Sequence, residues 1–75
     1  MKPAGYTVIL VPSVSHALKL EKVLCAQGIP CRLIPVPRHL SSDCGVCVRI
    51  ERADDERVAT VLKATPVEIE GFHLL

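Results

Sequence analysis

Val46-Cys47-Val48-Arg49-Ile50-Glu51 is the stretch from which the rest of this 75-residue chain is read. Val46, Val48 and Ile50 alternate with Cys47, Arg49 and Glu51, the period of a strand with one covered face. Moving toward the N-terminus, Arg38 to Gly45 is a polar loop containing Ser41, Ser42 and Asp43. Before it, Cys31 to Val36 reads as a second short strand that carries Pro35 and is followed by Pro37. Proline cannot donate to a sheet ladder, so this strand belongs at an edge. From Ser13 to Gln27 the period becomes helical, with Ser13 as N-cap and Gly28 as the stop. Its apolar arc holds Val14, Ala17, Leu18, Leu20, Leu24 and Cys25, with Glu21 as an intruding carboxylate that must pair or reach the rim. Tyr6 to Val11, almost wholly apolar and bounded by Gly5 and Pro12, reads as a strand buried on both faces.

On the C-terminal side, Asp54 or Asp55 can cap a second helix running to about Lys63, with Val58, Val61 and Leu62 inward. Pro66 resets the chain, and Val67 to Leu74 reads as a last strand with Val67 and Ile69 in, Glu68 and Glu70 out. The order β-α-β-β-α-β predicts an α+β fold of the ferredoxin-like split type, a four-stranded antiparallel sheet with two helices on one face. The first and third strands are then central, which leaves both prolines of concern, Pro35 and Pro66, at permissive positions. The open face would expose part of the first strand unless a second copy covers it, so a homodimer through the sheet is one expectation.

Residues 1–75 are read as a single domain, since a chain of this size buries only about 60% of its unfolded surface and has no room for a second core. Hydrophobic residues make up 49% of it, yet Tyr6 and Phe72 are the aromatics, so the core is expected to be aliphatic. Nine Lys and Arg against eight Asp and Glu give a net charge of +1 with no basic block, which argues against nucleic acid. The longest apolar run, Val8 to Pro12, is far short of the roughly 20 residues that cross a bilayer, and the N-terminus lacks a signal-peptide layout. The sequence thus reads as cytoplasmic and free of membrane, where four cysteines need not be disulfides.

The topology divides those cysteines between the two ends of the sheet, on the order of 15 Å apart. Cys25 and Cys31 share one end and read as core or helix-end packing of low reactivity. Cys44 lies at the other end, near the start of the first helix, whose unpaired N–H groups and dipole favour a thiolate. The adjacent Asp43 opposes this unless it points away. Cys47, out of phase with Val46 and Val48, points to the open face, either as a redox partner of Cys44 or as a half-buried sheet residue. Cys44 and Cys47 have Cys-x-x-Cys spacing, but no second pair lies nearby, and His16 and His39 would have to complete a zinc site; no metal is assigned. Heavy-metal-carrying domains of this fold class place their cysteine pair after the first strand, where this chain has Pro12 to His16. The two histidines themselves read as surface residues.

Ile34-Pro35-Val36-Pro37-Arg38 followed by Ser41-Ser42-Asp43-Cys44-Gly45, together with His16-Ala17, Glu21-Lys22 and Leu24, resembles the selenium/sulfur carrier-like family of small bacterial and archaeal proteins. The resemblance spans residues 6 to 51 and is weaker in the last third. It implies that Cys44 carries sulfur or selenium as a persulfide or perselenide, collected by a partner protein, so that the chain is a carrier more than a stand-alone enzyme. In that chemistry Ser13, Ser42 and backbone N–H groups would donate to the terminal chalcogen, Arg38 would add positive charge, and Gly45 would permit close approach. No cofactor is called for. Two rivals stay open: a non-catalytic module that dimerises or holds a small anion, and a thiol-disulfide protein using Cys44 and Cys47.

Overall fold

The computed structural model describes residues 4–40 and 45–75. Strand β1 (Tyr6–Leu10) leads into helix α1 (Val14–Ala26), followed by β2 (Cys31–Pro35), β3 (Val46–Glu51), a short 3-10 turn (Arg52–Asp54), helix α2 (Asp55–Ala64) and β4 (Gly71–Leu74). The four strands form one antiparallel sheet in the order β2-β3-β1-β4, with β1 and β3 in the centre. Val8 stands opposite Arg49 and His73, and Arg49 opposite Arg32, which fixes which side chains share a face.

One face of the sheet meets both helices. Ile9, Val48 and Ile50 from the strands pack with Val11, Ala17, Leu20 and Leu24 around α1 and with Val58 of α2. Every one of these side chains is removed from water, at about 1.5–3 kcal/mol for each full-sized aliphatic group. Tyr6 and Phe72 are both exposed, so the core is aliphatic as expected. Among the described residues no helix is long and apolar enough to cross a membrane.

On the opposite face, most of β1 is covered where the sequence led one to expect exposure. Val8, Leu10 and Cys47 are buried there within a single chain, because Ile34, Val36 and Leu40 pack over them. The segment after β2 turns back across the sheet, held by the Leu40 N–H donating to the Pro37 carbonyl at 3.0 Å. A second copy is therefore not needed to cover Val8 and Leu10, while Tyr6 of the same strand stays exposed. The remainder of that face is polar: Arg32, Arg49 and Glu51, with the Arg49 guanidinium 4.2 Å from the centre of the Tyr6 ring.

The limits of β2 and β4 and the buried side of α1 also differ from the sequence reading. Strand β2 ends at Pro35 rather than Val36, since Pro35 pairs with Val46 and the next N–H, from Val36, goes to the Gly45 carbonyl. The last strand starts only at Gly71, because β1 ends at Leu10, which stands opposite it. Val67 and Ile69 still point inward without belonging to the ladder. Within α1, Ala17, Leu20 and Leu24 are buried, whereas Val14, Leu18 and Cys25 face solvent. Cys25 is thus a helix-end residue and not part of the core: the side of α1 that meets the sheet runs through Ala17, Leu20, Leu24 and Val23, turned away from Val14, Leu18 and Cys25.

Candidate functional site

The C-terminal end of β1, the start of α1 and the connection between β2 and β3 meet at one end of the sheet. Leu10, the last residue of β1, stands opposite Cys47, and Cys47 stands opposite Ile34. Three residues beyond Leu10 comes Ser13, and two residues before Cys47 comes Gly45. The connection is pinned at its base by the Val36 N–H bonded to the Gly45 carbonyl at 3.1 Å. Cys44 precedes Gly45 directly in sequence; with Ser41, Ser42 and Asp43 it lies outside the described residues.

Ser13 takes up the N-cap with an extended backbone, and its side-chain oxygen accepts the His16 N–H at 3.4 Å. The first intrahelical bond runs from the Ala17 N–H to the Ser13 carbonyl, so the N–H groups of Val14 and Ser15 precede the hydrogen-bonded ladder. No acidic residue in the first turn offsets the positive end of the helix dipole. That end is accordingly suited to an anion. Ser13 Oγ also lies 2.6 Å from His16 Nδ1. With a proton on Nε2 the serine donates to the ring, and with a proton on Nδ1 it accepts and its own hydrogen is freed for another acceptor.

His16 is the residue at this end that the sequence reading left on the surface. Its signal was the Ser-x-x-His spacing across the first turn, which puts the ring over the cap. Arg38 and Gly45 are exposed on the connection, on the two sides of the undescribed stretch. Cys47 is fully buried between Val8 and Leu10, with its Sγ 4.0 Å from the Pro35 carbonyl oxygen, to which the thiol donates. Its side chain points to the open face as its phase predicted, and the turned-back segment covers it.

The other end of the sheet holds Cys25 and Cys31. Cys31 pairs with Ile50, and Ile50 with Thr7, four residues along β2 from Pro35 and hence about 13 Å away along the strand. Burial, the charge and hydrogen bonding of the neighbouring Cys25 thiol, and the charge of Glu21 together push the Cys31 thiol from 9.0 up to about 11. The sequence reading placed both thiols at this end but did not bring them together. Among the described residues no group of three or more His, Cys, Asp or Glu side chains could hold a metal ion.

Fold and site define a class first: a small α+β domain whose β2–β3 connection, bearing Cys44 in its sequence, springs from the same end of the sheet as an uncompensated helix N-terminus. Residues 6–74 match the family described as "putative Se/S carrier protein-like", and the chain belongs to that family. No curated protein and no solved structure matches it.

Proposed function

We propose that the protein carries sulfur or selenium on Cys44, receiving it from a donor protein and surrendering it to an acceptor, without acting as a stand-alone enzyme. Its frame is the ferredoxin-like split arrangement, for which the strand order β2-β3-β1-β4 is the support. In loading, the Cys44 thiolate attacks the terminal sulfur of a donor persulfide, R–S–SH. The donor S–S bond breaks, the donor sulfur leaves as a thiolate and takes up the proton, and Cys44 is left bearing S–S⁻. The sulfur atom moves with no net oxidation, and a reducing, cytoplasmic setting suits such chemistry.

The observation that carries this reading is the register that brings Gly45 to the Ser13 end of the sheet, read with the family membership. The Val14 and Ser15 N–H groups and the Ser13 hydroxyl are donors for the anionic sulfur, with His16 setting which way the Ser13 hydrogen points. Ser42 is a further donor, Arg38 supplies positive charge, and Gly45 allows close backbone approach. The full burial of Cys47 favours a single working thiol, with Cys47 as a packing residue. Incubation with a cysteine desulfurase and cysteine is expected to add about 32 Da at Cys44. Absence of that adduct, or its persistence in Cys44→Ser, refutes the carrier reading; a Cys44–Cys47 disulfide in its place would favour thiol-disulfide chemistry.

A further inference from the structure

Cys25 and Cys31 lie on either side of a tight turn. Cys25 is in the last turn of α1, and Gln27 closes the helix, its N–H donating to the Leu24 and Cys25 carbonyls. The chain then reverses at Gly28, at a φ of +71°. The Ile29 N–H returns to the Leu24 carbonyl at 3.0 Å, and the Ile29 side chain is locked into the core. Cys31 then opens β2, and its Sγ lies 3.9 Å from the carbonyl oxygen of Glu21. That carbonyl is the helical acceptor of the Cys25 N–H, and a helical side chain leans toward the turn before its own. The two thiols therefore overlie the same helical turn, Cys25 exposed and Cys31 half-buried.

We propose that Cys25 and Cys31 form a second thiol site, separate from the Cys44 loop, which exchanges with a small-molecule disulfide and closes into a Cys25–Cys31 disulfide. In the first step the exposed Cys25, as thiolate, attacks one sulfur of the small disulfide R–S–S–R. That S–S bond breaks, a Cys25–S–S–R bond forms, and one R–S⁻ leaves and takes up a proton. In the second step Cys31 gives up its proton and attacks the Cys25 sulfur, and the second R–S⁻ leaves and is protonated. Two protein thiols are oxidised and one small disulfide is reduced to two thiols, so atoms and electrons balance.

The environment orders these steps. Cys31 is held protonated while Cys25 is a free thiol, in part through the charge of Cys25 and the hydrogen bond between the two. Once Cys25 is in a mixed disulfide it carries no charge, and that part of the restraint on Cys31 is lifted when Cys31 has to attack. The accessible thiol thus reacts first and the sheltered one resolves. A bond here would tie the C-terminal turn of α1 to the edge strand β2, which are linked in the reduced protein by core packing and the Cys31–Glu21 contact.

Lys22 and Arg32 flank the pair and no basic residue separates its members, so trypsin releases both cysteines in one peptide, residues 23–32. The full-length protein, reduced and then exposed to glutathione disulfide, is expected to yield that peptide lighter by two hydrogens, in wild type and in Cys44→Ser alike. Cys31→Ser, and Cys31→Val as a second variant suited to a half-buried strand position, are expected to stall with one glutathione on Cys25. Three results each overturn the proposal: a lasting glutathione adduct on wild-type Cys25, a disulfide-linked dimer through Cys25, or an unmodified peptide. Because Cys44 is absent from one arm, failure here and failure of the carrier reading are distinguishable.

Discussion

Replacing the exposed Cys25 with alanine is expected to make its neighbour Cys31 more reactive. At pH 8 a thiol with a pKa of 9.0 is about one-tenth ionised, and one at about 11 only about one-thousandth, so the fold withholds Cys31 thiolate about a hundredfold. A higher pKa also makes the thiolate a better nucleophile, with a Brønsted slope of about 0.4–0.5, which returns close to a factor of ten. The net suppression of attack is therefore about tenfold. Burial is the largest cause and survives the substitution, whereas the charge and hydrogen bond of Cys25 do not. Losing them lowers the Cys31 pKa while burial remains, so alkylation at pH 8 is expected to rise, but by less than the tenfold suppression. The assay is iodoacetamide labelling across pH 7 to 12, with Cys31 followed in its tryptic peptide by mass spectrometry. The same shift carries a stability sign: the folded chain keeps the Cys31 proton where the unfolded chain has lost it. Stability is thus undiminished below about pH 9 and drains away as pH rises toward about 11, less steeply in Cys25→Ala. A Cys31 pKa that is unchanged or higher in Cys25→Ala would refute the reasoning.

Leu20 and Leu18 offer a paired test of the core, one fully buried and the other 51% exposed two residues away. Leu20→Ala is expected to cost about 2–5 kcal/mol in urea unfolding, a large part of the roughly 4–11 kcal/mol a chain this long commands, and Leu18→Ala about 0.5 kcal/mol or less. Comparable losses at the two sites would mean that the exposed arc of α1 is buried in solution. At Gly28 a Cβ would meet no atom within 4 Å, so Gly28→Ala bears only the backbone penalty of its positive φ, about 1 kcal/mol after the unfolded-state gain. Gly71, without a positive φ, is expected to tolerate alanine with no loss, and thermal melts that moved together would overturn the distinction. Cys47→Ala is expected to lower stability by about 1 kcal/mol while leaving sulfur loading on Cys44 intact; loss of loading without loss of stability would assign Cys47 a chemical part.

Local rules read well where one residue decides a boundary. Ser13 caps α1 and Gly28 ends it, and the alternation of Val46 to Glu51 places β3 with its correct limits. The stretch Val67 to Glu70 shows the opposite: its alternation sets which side chains are buried, yet strand pairing requires a partner, and β1 has none to offer beyond Leu10. Helical period likewise marked Leu18 and Cys25 as inward, because an apolar arc in sequence does not say toward which of its edges the covering surface lies; here it lies toward Val23. At the candidate site, Ser13 was legible from its cap chemistry, while the partnership with His16 depended on a side-chain direction.

The sequence alone determined the order of elements, the aliphatic core and the separation of Cys47 from Cys25 and Cys31 at opposite ends of the sheet, since these follow from period, propensity and chain direction. The tertiary structure decided which surfaces are covered and which thiols meet. Cys47 looked like an open-face thiol and is sealed under Ile34, Val36 and Leu40; Cys25 and Cys31 looked like separate packing residues and share one helical turn. Both outcomes turn on where a loop or turn returns after leaving its element. That return is fixed by contacts between residues that no local pattern connects.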